Sequence, residues 1–303
     1  MYSCHTSCDL LNAGTYQSEL EIVARWLRDN PYDVVTILIV NSDLTTVENF
    51  VPAIQNSGLA EYLYTPKYVP QHKDQWPTLG EMILSGKRAV VFMDYNANQT
   101  AVPYILDEFT HMWETPFSPQ DQAFPCDIQR PPGLNETVAR ENYMYLANHN
   151  LNTAIDISAI LGNGDDTTIL IPNTAEINTT NGEYDTYGQL GEMAKNCSGK
   201  HQHQHRHKSA HAILQPPTPF QLKTETDPPF TATWNAPPNF LLVDYYNYGD
   251  PKPGSVFEVA ALYNNVTYTR ACCGAEANVA FAFRASVLPV YAVVVLVTLL
   301  LWR

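Results

Sequence analysis

Apolar positions recur along this chain with two periods. Behind Gly14, Thr15 is placed to cap a helix whose apolar set, Leu20, Ile22, Val23, Trp26 and Leu27, has helical spacing. Asn30-Pro31 ends that helix. Val34 to Val40 is then an unbroken, β-branched apolar run, as expected of a parallel strand covered on both faces. Arg88 to Asp94, Tyr143 to Asn150 and Asn239 to Asn247 predict further strands, with Asp94, His149 and Asp244 at or near their C-terminal ends. Thr45 with Glu48, Thr78 with Glu81 and Ser255 with Glu258 predict capping boxes at three helix starts, and Gly86 closes the second of these helices. Val102, Ile105, Leu106, Phe109 and Trp113 predict a helix over residues 101 to 113. Pro116 to Leu134, holding Cys126, and Asn163 to Gly188 read as loops.

Strands alternating with helices, and polar residues gathered where strands end, predict an α/β fold of the (β/α) barrel type with its site at the strand C-termini. A hydrophobic content of 45% in 303 residues is enough for one large core. The net charge of −14 argues against nucleic acid as a partner, so an anionic substrate has to meet local positive charge. Six cysteines (Cys4, Cys8, Cys126, Cys197, Cys272, Cys273) accompany five Asn-x-Ser/Thr sequons at Asn98, Asn135, Asn178, Asn196 and Asn265. Together they favour the secretory route and an oxidising compartment. The chain opens on Met1-Tyr2 with no charged and apolar leader, which for a secreted protein suggests a start upstream. Spacing does not choose among the disulfide pairings, although the adjacent Cys272 and Cys273 are expected to take different partners.

The block CHTSC at Cys4 to Cys8, WLRDNPYDVVTILIVN, VVFMDYNANQTAVPYILDEFTHMWETPF and NFLLVDYYNYGDPKPGSVFEVA together resemble the fungal PLC-like phosphodiesterases, relatives of the phosphatidylinositol-specific phospholipase C barrel. The resemblance runs from Cys4 to about Cys273. It implies an eight-stranded (β/α) TIM-type barrel over residues 1 to 273, here without its first two βα units. It also implies a phosphoric diester hydrolase that acts on a phospholipid or glycerophosphodiester through two histidines, a general base and a general acid. His5 matches the acid, and Asp244 matches the aspartate that orients the base. Asn41, Asp94, Asn96 and His149 end strands or flank them and are candidates to line the pocket, on position alone. No histidine of the chain stands in a block matching the base, nor any arginine in one matching the family's phosphate partner. Low turnover is therefore expected, and a non-catalytic surface glycoprotein using the barrel as scaffold is the alternative. No cofactor is implied by these residues, with calcium left open.

Residues 200 to 230 interrupt the resemblance with KHQHQHRHKSAH and a Pro-rich stretch. Metal binding by His201, His203, His205, His207 and His211 competes with a flexible loop and with translated intron sequence, the reading that alternating His and Gln favours. After a spacer at 274 to 286, Val287 to Leu301 is apolar but short of the about 20 residues of a membrane span. With the small Gly274 and Ala275 upstream, it fits the end of a GPI-attachment signal better than a transmembrane helix. An extracellular or cell-surface, membrane-anchored protein is the expected outcome.

Overall fold

A computed structural model of the protein describes residues 1–5, 8–9, 11–156, 168–198, 234, 236–269 and 272. The histidine-rich insert, the spacer, the apolar tail and Cys273 lie outside the described residues. The chain divides into two compact units. The first comprises Met1–Phe117 and Asp127–Ala147, the second Ser118–Cys126 and the chain from Asn148 onward.

The first unit opens with an antiparallel ribbon of β1 (Tyr2–His5) and β2 (Leu11–Thr15), a feature the apolar pattern did not announce. Cys4 and Cys8 form a disulfide beside it. Thr15 then caps α1 (Tyr16–Asp29), its side chain accepting from the Ser18 N–H, and Asn30 ends the helix. Leu20, Ala24 and Leu27 point into the core, whereas Ile22 and Trp26 are exposed. Next come β3 (Val35–Ile39), α2 (Val51–Asn56) behind a 3₁₀ turn, α3 (Leu79–Ser85), β4 (Ala89–Met93) and β5 (Ile105–Asp107). β3, β4 and β5 pair in parallel, in that order. The β3-to-β4 crossover carries α2 and α3, whereas β4 and β5 are joined by the non-helical stretch 94–104. β4 is buried throughout, as its apolar run requires, while β3 is an edge strand and only partly buried.

Residues 101 to 113 do not form the expected helix. They give β5, a single turn α4 (Glu108–His111) capped by Asp107, and the start of β6 (Met112–Glu114). β6 runs parallel to β7 (Met144–Asn148), with α5 (Glu136–Asn142) between them in sequence. Of the three predicted capping boxes, only Thr78 with Glu81 forms. The turn before α2 is headed by Thr46 without a side-chain cap.

The second unit contains the antiparallel ribbon of β8 (Asn152–Asp156) and β9 (Thr168–Pro172), then α6 (Ile177–Thr180), α7 (Leu190–Ser198), β10 (Phe240–Leu242) and α8 (Ser255–Tyr263). β9 and α6 replace part of the loop expected over 163 to 188. α8 starts from Gly254 at φ +78°, with no side-chain cap, so Ser255 and Glu258 do not make a box. Ser255 instead bonds to the Lys252 carbonyl. A Cβ at Gly254 would lie 2.3 Å from Cys272 Cβ, so close packing as well as φ demands glycine there. Cys126 and Cys197 are joined by a disulfide, and the Trp234 indole donates to the Cys126 carbonyl at 2.7 Å. Cys272 is also in a disulfide, with a partner outside the described residues. The architecture is mixed α/β with parallel strand pairs in the first unit.

A polar network at the strand ends

Three parallel strands of one sheet deliver polar residues to their C-terminal ends. Asn41 follows β3 and is buried; its N–H donates to Asp94 Oδ1 at 2.8 Å, and its side chain donates to the Thr45 and Tyr95 carbonyls at 2.9 Å. Asp94, directly after β4, also accepts the Tyr95 N–H at 2.8 Å. Asn96 is exposed, at φ +61°, and holds the Leu44 carbonyl at 2.6 Å. These three expected pocket residues therefore share one network, in which Asp94 and Asn41 tie the end of β3 to that of β4.

The network continues into residues that sequence reasoning missed. Glu108, on the turn after β5, is fully buried, and neither of its carboxylate oxygens makes a well-formed hydrogen bond. Burial raises its pKa to about 9, the neighbouring Glu114 and Asp94 carboxylates add to the effect, and Arg130 opposes it. Glu114, ending β6, is equally sealed and accepts two bonds from Arg130, Nη2 at 2.6 Å and Nε at 3.0 Å. Backbone bonds between Glu114 and Arg130 hold the two in register. Arg130 packs its guanidinium over the Phe117 ring at 4.2 Å and points Nη1 at the Tyr95 hydroxyl, 3.3 Å away. Burial works against the Arg130 charge, but the bonds to Glu114 outweigh it and hold the guanidinium above its ordinary value.

On a helix over 101 to 113, Glu108 would fall on the polar face, and that expectation concealed it. The signal that could have exposed it is a pair of glutamates, Glu108 and Glu114, inside a block otherwise filled with Ile105, Leu106, Phe109, Met112 and Trp113. Such residues are rarely buried without a partner.

His5 is the last residue of β1, paired with Leu11 across an antiparallel ribbon rather than ending a parallel strand. His149 and Asp244 belong to the second unit. His149 is completely buried against Phe124, with Nε2 2.8 Å from the Thr180 carbonyl. Burial lowers its pKa to about 3 despite the Thr180 and Gly188 backbone groups. That environment is that of a neutral core histidine. Asp244 follows β10 and is half-buried, and its carbonyl accepts from Asn181 Nδ2 at 2.8 Å. Of the sequon asparagines, Asn98, Asn135, Asn178 and Asn265 are exposed and Asn196 is half-buried. Among the described residues, no group of three or more His, Cys, Asp or Glu side chains could hold a metal ion, and no helix is long and apolar enough to cross a membrane.

Comparison with known proteins agrees with the fold class. A secreted protein of Arthroderma benhamiae, described as uncharacterized, is 54% identical over 280 residues, 92% of this chain and 54% of the relative. A PI-PLC X domain-containing protein 1 of the same fungus is 43% identical over 154 residues, 50% of this chain and 49% of the relative. The chain thus spans about half the length of the curated relatives it matches. No solved structure matches. The family model described as PI-PLC X 1 matches residues 1–207, two-thirds of the sequence, and the chain accordingly belongs to the PI-PLC X family.

Proposed function

We propose that this protein is a phosphodiesterase-type member of its family, cleaving a phosphoric diester in a phospholipid or glycerophosphodiester at the C-terminal ends of a (β/α) barrel to which β3, β4, β5, β6 and β7 contribute. The observation carrying this reading is the buried polar network at those strand ends, in a chain whose first two-thirds match the family. In the reaction a base takes the proton of the attacking hydroxyl, the new P–O bond forms as the P–O bond to the leaving oxygen breaks, and that oxygen takes a proton from His5. Imidazole is the side-chain group suited to proton transfer near neutrality. The name of the secreted relative, the five sequons and the disulfides support an extracellular location, and residues 287 to 301 supply a GPI-type attachment to the cell surface.

A second reading, a non-catalytic surface glycoprotein, is favoured by one observation. His111 and His149 are both sealed from solvent, so neither can serve as the base that pairs with His5. The test is phosphodiester cleavage by the purified protein, on phosphatidylinositol vesicles and on soluble glycerophosphodiesters, beside His5→Ala. Turnover lost in the variant supports the enzyme. Turnover equal in both removes His5 from the mechanism, and none in either supports the scaffold.

A further inference from the structure

Among the described residues, the strand-end network gathers three buried carboxylates beside one bonded cation. Asp94, Glu108 and Glu114 are all buried; Arg130 is bonded to Glu114 and acts on Glu108 through its charge. Arg130 spends both of its short bonds on one oxygen of Glu114. Glu108 receives no bond from a cation or amide; the Glu114 carboxylate of β6 is within hydrogen-bonding approach of it, and the charge of Asp94, just after β4, acts on it as well. An ionised carboxylate in that position would be desolvated and unpaired, at a cost of several kcal/mol. A protonated one is neutral and still fills the space.

We propose that Glu108 is a positioning residue, a buried neutral carboxylic acid whose proton leaves Arg130 wholly to Glu114 and so fixes the guanidinium at the rim of the strand-end site. Ionisation would put a second anion beside the first. Arg130 would then be drawn inward, away from the Tyr95 hydroxyl and the Phe117 ring, both of which are exposed at the surface. The proposal rests on the strand ends being the substrate site, but it is tested without substrate.

Two spectroscopic readouts decide it on the 303-residue protein. Infrared spectra should show the carbonyl band of a protonated carboxylic acid at pH 7, fading as the pH passes about 9. That measurement needs no variant to fold. Glu108→Gln, a neutral isostere, should lack the band. In parallel, the Nε–H resonance of Arg130 should persist at pH 7 in both proteins, collapse above about pH 9 in the wild type, and survive there in Glu108→Gln. Absence of the band at neutral pH, its persistence in the variant, or loss of the arginine resonance at the same pH in both proteins would overturn the proposal. Failure of the phosphodiesterase reading shows up separately, in the vesicle assay, and leaves these readouts unchanged.

Discussion

Arg88 shows how much one side chain can hold together. It is buried with no carboxylate partner among the described residues, and its guanidinium donates to the carbonyls of Leu27 (2.8 Å), Asn30 and Asp33 (both 2.9 Å). These carbonyls lie at the C-terminal end of α1 and just beyond it, where helix carbonyls lack intrahelical donors and a cation is also favoured by the helix dipole. Arg88→Met should lower stability by about 2–4 kcal/mol, read by urea unfolding, since buried acceptors lose a charged donor. Two buried groups set opposite pH dependences. The folded pKa of Glu108, about 9, lies above the ordinary carboxyl value of 4.5. Between those values the unfolded chain has released a proton that the folded chain keeps, so this contribution is complete below about 4.5 and is lost as pH rises through 9. For His149, lowered from 6.5 to about 3, the unfolded chain binds the extra proton. Its contribution is present above 6.5 and is lost as pH falls toward 3. Unfolding midpoints measured across pH should therefore show Glu108→Gln flattening the alkaline limb and His149→Gln the acid limb.

At the level of elements, local patterns succeeded where neighbours did not interfere. Thr15, the Thr78–Glu81 box and Gly86 all sit where the sequence placed them, because caps are built from a few adjacent residues. Residues 101 to 113 failed because five apolar residues at helical spacing are equally served by two short strands around one turn, once parallel partners such as β4 and β7 are available. The edge strand β3 leaves its outer side unpaired among the described residues, and Val40 just beyond it is 60% exposed. Val40→Lys should reduce self-association, read by light scattering, with little change in the unfolding midpoint. The Cys126–Cys197 disulfide spans 71 residues of sequence. Replacing both cysteines with alanine should cost about 2–5 kcal/mol, most of it by freeing the unfolded chain.

For the whole molecule, the charge of −14 means that any anionic ligand has to meet local positive charge, and Arg130, held by Glu114, is a cation at the strand ends. With no histidine in a block matching the base, the 303-residue protein is expected to turn over phosphodiesters slowly. Removing one acid–base partner typically costs about 10² to 10⁴-fold in rate. His5→Ala should lower whatever rate is measured by a comparable factor.

The sequence by itself determined the α/β class, the family, the strands at 35–39, 89–93 and 144–148, and the strand-end positions of Asn41 and Asp94. Each of these follows from short-range periodicity or from long matching blocks. The tertiary structure alone decided which polar residues face inward. Glu108, Glu114 and Arg130 come together because the chain turns at Asp107 and again at Met112, and because Arg130 returns from a loop to pair with Glu114. The same holds for His149, which stands where a pocket residue would but is closed over by Phe124 and the Thr180 turn. Burial and pairing are set by contacts between residues far apart in sequence, and no period along the chain encodes them.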